Sequence, residues 1–315
     1  MQKRKLGRTG IEIAPLVFGG NVFGWTADEK QSSAVLDAFV GEGFTAIDTA
    51  NAYSRWIPGH VGGESETIIG KWMKARGNRA NLHVITKVGS DMGQGKRDLS
   101  AAHIAQAAED SLRRLQTDYI DVYLSHWPDD TVTQEETLGA YAKLIKAGKV
   151  RNIGCSNYDE KLLAEALKLS ADKGLPRYEV IQNEFNLYSR AKYEGAVQKI
   201  VVHEEIGSIP YYGLASGFLT GKYRSEADLD KSPRGKGAAK YLDEKGRRIL
   251  TAMDQVAART GAELAEIALA WIAAQPGITA PIASATSVPQ VESLVRGARL
   301  KLTDADLQVL TKAGN

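Results

Sequence analysis

FTAIDTANAYS, residues 44–54, is a short apolar run that ends on a carboxylate, Asp48, and passes into a polar loop carrying Tyr53. A run of this length, bounded by a turn, predicts a buried strand over 44–48, and the segment after it predicts a helix over 64–76. The same unit recurs in both directions along the chain. Strands are predicted at 16–20, 44–48, 83–87, 119–124, 150–154, 178–182, 206–211 and 278–282, and helices at about 29–42, 64–76, 100–115, 134–147, 159–173, 192–204, 262–275 and 288–297. Persistent alternation of this kind is the signature of a parallel sheet, and eight strands is the number that closes one into a barrel. The expected class is therefore α/β, a (β/α)8 TIM barrel with extra helices, formed by residues 1–315 as one domain. KLGRTGIEIA (5–14) suggests an N-terminal hairpin that plugs the barrel's bottom. Leu219 to about Arg248, broken by Gly221, Pro233, Gly235 and Gly237, reads as a long mobile loop leading to a helix, of the kind that serves as a lid.

Composition narrows the function classes. Of 315 residues, 43% are hydrophobic and 25% charged, which suits a protein with a large core. The formal charge of +2, from 40 basic and 38 acidic residues, supplies no field for nucleic acid or an anionic membrane. Cys155 is the single cysteine, so no internal disulfide forms and a reducing compartment is expected. The basic N-terminus is followed by no signal-like apolar run, and no stretch approaches the roughly 20 apolar residues of a membrane span, so the expectation is cytoplasmic. No metal site is expected.

A parallel barrel delivers the C-terminal ends of its strands to one rim, where active sites sit. Asp48 closes the second predicted strand, Tyr53 follows it, Lys87 closes the third, and His126 follows the fourth. Such a group can protonate a carbonyl oxygen as hydride reaches the carbon. A tyrosine with its ordinary pKa of about 10 is a weak acid, so Lys87 is expected to lower it, Asp48 to keep Lys87 charged, and His126 to bind the substrate oxygen.

With these residues in place, the chain closely resembles the aldo-keto reductase superfamily over nearly its whole length. It resembles the branch that includes voltage-gated potassium channel β subunits and bacterial aryl-alcohol-dehydrogenase-like reductases. The resemblance is carried by FTAIDTANAYS, GGESETIIG (62–70), VITKVG (84–89), SLRRLQTDYIDVYLSHWPD (111–129), GKVRNIGCSN (148–157), VIQNEFNLYSR (180–190) and GFLTGKY (217–223). It implies Tyr53 as general acid or base, Lys87 and Asp48 as the pair acting on its pKa, and His126 as the group that orients substrate.

The resemblance also implies a nicotinamide cofactor, NADP(H), with NAD(H) as the alternative. Ser156, Asn157 and Gln182 match the carboxamide ligands, and Tyr211 matches the aromatic face on which the nicotinamide stacks, preferred over its neighbour Tyr212 because it keeps the spacing to Gly217. Leu214, Ser216 and Lys222 would line the pyrophosphate, with Arg234 closing over it from the long loop. On the adenosine side, Ser284, Thr286 and Gln290 match ligand positions. The segment 281–294 departs from the family pattern, because Ser293-Leu294 stands where Glu-Asn is usual and no Lys or Arg stands at the phosphate positions. The first strand leads only into Gly19-Gly20-Asn21, not G-x-G-x-x-G, and GFLTGKY is too short for a P-loop.

Trp25, Trp56 and Trp127 fall in rim loops and would wall a substrate pocket suited to a hydrophobic small-molecule carbonyl compound. Two other functions compete. A regulatory NADP(H)-binding module, related to channel β subunits, is set against by the complete tetrad and by the lack of an appended N-terminal inactivating segment. An aldolase with Lys87 as Schiff-base amine would need a neutral lysine, which Asp48 opposes.

Overall fold

A computed structural model describes residues 2–315 apart from Pro233. Its strands are β1 (Arg4–Lys5), β2 (Glu12–Ile13), β3 (Val17–Gly19), β4 (Ala46–Asp48), β5 (His83–Val88), β6 (Ile120–Ser125), β7 (Val150–Ser156), β8 (Val180–Gln182), β9 (Gly207–Ser208) and β10 (Ile282–Ala283). The helices are α1 (Glu29–Gly41), α2 (Glu64–Arg76), α3 (Ala101–Leu115), α4 (Gln134–Lys146), α5 (Glu160–Lys173), α6 (Ala196–His203), α7 (Gly235–Ala238), α8 (Glu244–Thr260), α9 (Leu264–Ala273), α10 (Val288–Arg299) and α11 (Asp304–Ala313).

Strands β3 to β9 lie side by side in chain order, all parallel, with β10 beside β3. The Ser208–Ile278 bridge and the Ile282 N–H bond to Pro210 O (2.9 Å) join the two ends, so the sheet closes into the (β/α)8 barrel that the alternation predicted. Side chains alternate across it with period two. Val17, Ala46, Ile85, Val122, Leu124, Val180 and Ile209 form the inner cluster, whereas Phe18, Ile47, Val84, Tyr123 and Ile181 face the helices. Strands β1 and β2 form the expected antiparallel hairpin, and its Leu6 and Ile13 join the inner cluster, stoppering the barrel with apolar surface.

Several boundaries differ from the sequence reading. The helix predicted over 192–204 starts only at Ala196, because Gly195 (φ 91°) turns the chain just before it. The eighth strand shrinks to Ile282–Ala283, since Pro281 has no N–H to donate. The stretch 219–248, Pro233 apart, leads into a helix as read, α8 from Glu244, but before it 3-10 turns over Glu226–Lys231 and Ala239–Tyr241 and the short α7 give the loop regular structure. Arg224 ties this segment down through two 2.8 Å bonds to Asp254. Helix α11, capped by Thr303 and Asp306, has no counterpart among the predicted helices. Among the described residues, no helix is long and apolar enough to cross a membrane.

Candidate active site

The period-two alternation that builds the inner cluster also builds the site. Ala46, Ile85, Leu124 and Val180 point into the barrel, and two residues further along, on the same face, stand Asp48, Lys87, His126 and Gln182. The site is thus the next layer above the apolar core, at the strands' C-terminal rim.

Lys87, with no exposed surface, donates to Asp48 Oδ2 (2.7 Å), Thr49 O (2.7 Å) and Tyr53 Oη (2.8 Å). Three acceptors match the three N–H bonds of an ammonium, which holds Lys87 protonated although burial lowers its pKa, with Asp48 opposing that shift. Tyr53 Oη in turn donates to Asp48 Oδ2 at 3.2 Å, longer than an ordinary O–H···O bond of about 2.5–3.0 Å. The Tyr53 hydroxyl is therefore only weakly tied to Asp48 and free to turn. The other Asp48 oxygen accepts from Gln182 Nε2 (2.8 Å).

The expectation that Lys87 brings the Tyr53 hydroxyl below its ordinary pKa is not met. Burial pushes it well above that value, and the Asp48 carboxylate pushes it further. Tyr53 is a stored proton at neutral pH. His126 moves the other way: burial holds it well below the ordinary histidine value, and Lys87 and Arg97 add to this, so its ring is neutral. His126 Nδ1 is hydrogen-bonded to Ser90 Oγ at 2.9 Å, a contact the sequence reading did not anticipate.

The residues matched to the nicotinamide end, Ser156, Asn157, Gln182 and Tyr211, form a continuous web. Ser156 Oγ donates to Gln182 O (2.7 Å), Asn157 Nδ2 donates to His126 O (3.0 Å) and Ser156 Oγ (3.1 Å), and Tyr211 Oη donates to Asn157 Oδ1 (2.7 Å). Asn157 uses both ends of its amide inside the protein, whereas Gln182 Oε1 has no partner among the described residues. From Leu214 the chain enters a left-handed stretch, Ala215 (φ 47°), Ser216 (φ 56°) and Gly217 (φ 91°), with the Lys222 side chain beside Gly217. Arg234 lies over the Trp25 ring (5.1 Å), buried enough to lower its pKa, and its Nη2 is closed off without a partner among the described residues. On the far side, Ser284 Oγ donates to Asn21 Oδ1 (2.7 Å), and Gln290 Oε1 accepts from the Thr286 amide (2.8 Å).

The three rim tryptophans lie around Tyr53 and His126. Trp25 and Trp56 meet edge to face at 5.5 Å, Trp56 meets Tyr53 at 6.3 Å, and Trp127 stacks on His126 at 6.0 Å with Arg97 over its ring.

A family model described as "Aldo/keto reductase family" matches residues 15–315. The chain belongs to the aldo/keto reductase family. Among its relatives is "Aldo-keto reductase YhdN" of Bacillus subtilis (strain 168), 32% identical over 93% of this chain and 88% of that protein. "Protein tas" of Escherichia coli (strain K12) is 30% identical over 96% and 95%. A "Probable voltage-gated potassium channel subunit beta" of Oryza sativa subsp. japonica is 32% identical over 92% and 89%. Membership of the aldo/keto reductase family makes the protein an oxidoreductase, of a family that generally binds NAD(P)H and acts on small carbonyl compounds. It leaves no part for the aldolase, and Lys87, with three acceptors engaged, has no free lone pair for a Schiff base.

Proposed function

We propose that this aldo/keto reductase reduces a hydrophobic aldehyde or ketone to the alcohol with NADP(H), Tyr53 donating the proton, and that residues 1–315 work as one barrel domain. The observation that carries the reading is the triple donation by Lys87. The ammonium binds the Tyr53 oxygen more tightly than Asp48 binds the Tyr53 proton, at 2.8 Å against 3.2 Å. The hydroxyl can therefore turn to a substrate oxygen while Lys87 stabilises the phenolate left behind.

The bound dinucleotide would supply the hydride. Residues of this chain fit it: Gln182 Oε1 offers an unused acceptor for a carboxamide beside Ser156 and Asn157, and Tyr211 offers a ring face. The step from right-handed Leu214 to left-handed Ala215 is the backbone form of an anion-binding nest. A buried guanidinium with an orphaned N–H, Arg234, suits a pyrophosphate, with Lys222 as a second charge. NAD(H) is the second reading, favoured by the absence of Lys and Arg from 281–294, where Ser284, Thr286 and Gln290 offer only neutral groups.

His126, neutral at pH 7, would share the substrate oxygen with Tyr53. Trp25, Trp56 and Trp127 supply an aromatic wall that favours apolar carbonyl compounds over phosphorylated sugars. We read the protein as cytoplasmic on its single, buried cysteine. A regulatory dinucleotide-binding role is a further reading, favoured by the potassium-channel-subunit relatives of rice and Arabidopsis thaliana.

Fluorescence titration with NADPH and NADH, followed by a panel of aromatic and aliphatic aldehydes and ketones, tests the proposal. Tight NADPH binding with aldehyde-dependent oxidation supports it. Binding without any aldehyde-dependent oxidation would favour the regulatory role.

A further inference from the structure

Strand β5 ends in Lys87 and Val88, and two residues later the chain reaches Ser90. The turn between them depends on Gly89, whose φ is 102° and where a Cβ would stand 2.5 Å from Leu99 Cδ2. That turn brings Ser90 Oγ to 2.9 Å from His126 Nδ1, in a position where Ser90 is only 9% exposed. The His126 backbone is held from two more sides: its amide N–H donates to Val88 O (2.8 Å), and its carbonyl accepts from Asn157 Nδ2 (3.0 Å).

We propose that Ser90 is a positioning residue that donates its hydroxyl proton to His126 Nδ1 and so holds the imidazole with its own proton on Nε2. The inference rests on the reductase reading of the site and assigns that site a member beyond the tetrad. A neutral ring carries one proton for two nitrogens, and the neighbour of one decides the other. The Ser90 hydroxyl has Nδ1 as its only hydrogen-bond partner among the described residues. The reverse polarity would leave the hydroxyl hydrogen without an acceptor in a largely closed site, at the cost of an unsatisfied buried donor. Nε2 makes no bond within the described residues and is not closed off from solvent, so it opens to the cleft. A proton there can be offered to a carbonyl oxygen. A lone pair there would face the oxygen's own lone pairs and repel it.

The end of β5 thus sets both groups that would meet the substrate oxygen. Lys87 acts on Tyr53, and Ser90 acts on His126.

The test uses the full chain with 15N-labelled histidine, with and without NADPH, together with kcat and KM for 4-nitrobenzaldehyde. The expected wild-type spectrum has a bare, hydrogen-bonded Nδ1 and a protonated Nε2 for His126. Ser90→Ala should admit the Nδ1-protonated form and lower kcat about tenfold, with KM nearly unchanged. Ser90→Thr, which keeps the hydroxyl, should retain the wild-type nitrogen pattern. A proton on Nδ1 in the wild type overturns the proposal, as does a Ser90→Ala protein with wild-type kcat, or Ala and Thr variants that behave alike. Absence of any aldehyde turnover would count against the reductase reading alone, since the nitrogen signals report the Ser90–His126 bond without it.

Discussion

Lys87 Nζ stands 2.8 Å from Tyr53 Oη and, fully buried, also neutralises Asp48 at 2.7 Å. Removing one partner of such a pair leaves the other charge stranded in a low-dielectric interior. Lys87→Met is therefore expected to cost about 3–5 kcal/mol of stability, read as a lowered urea midpoint. The double variant with Asp48→Asn should lose less than the sum of the two single changes, because the stranded charge is gone. Strict additivity would contradict the pairing.

The pKa directions set a pH profile. Reduction needs protonated Tyr53, whose hydroxyl is pushed above its ordinary value by burial and by Asp48. The rate should then stay flat through mildly alkaline pH and fall only above about pH 10. His126, held neutral by burial, puts its own limb below its ordinary value of about 6.5. A break in kcat/KM between pH 7 and 9 would show that Lys87 does lower the Tyr53 pKa. For stability, the depressed folded-state pKa of His126 contributes fully above its unfolded value and is lost as pH falls below about 6.5, so the denaturation midpoint should decline there.

Arg234 offers a prediction with two opposite signs. Its guanidinium is buried against Trp25 with Nη2 unpartnered among the described residues, a cost to the folded chain. Arg234→Ala should leave stability unchanged or slightly raised, in a thermal melt without dinucleotide. If the guanidinium clasps a pyrophosphate, NADPH affinity should fall at least tenfold in the same variant, by fluorescence titration. A variant that is destabilised yet binds NADPH normally would make Arg234 a structural residue.

What could be read from sequence, and what could not, follows the range of the interactions. The barrel was legible because short apolar runs and the helix-length segments between them are local signals, whereas the period-two packing that sets Asp48, Lys87, His126 and Gln182 one step above Ala46, Ile85, Leu124 and Val180 emerges only in the closed sheet. The Ser90 contact was not legible, because it joins two strand ends through a left-handed turn at Gly89 that no periodicity announces. Helix α11 did carry a signal, Thr303 followed three residues later by Asp306, a capping box. The direction of the Tyr53 shift depends on how completely the hydroxyl is buried beside Asp48, which only the packed structure reveals.

The most direct test of the central claim is Tyr53→Phe, assayed for carbonyl reduction and for NADPH binding on the same protein. Loss of the hydroxyl removes the proton and little else, so kcat should drop by a factor on the order of 10²–10⁴ while NADPH affinity stays within a few-fold of wild type. Preserved reduction in the phenylalanine variant would contradict Tyr53 as the proton donor.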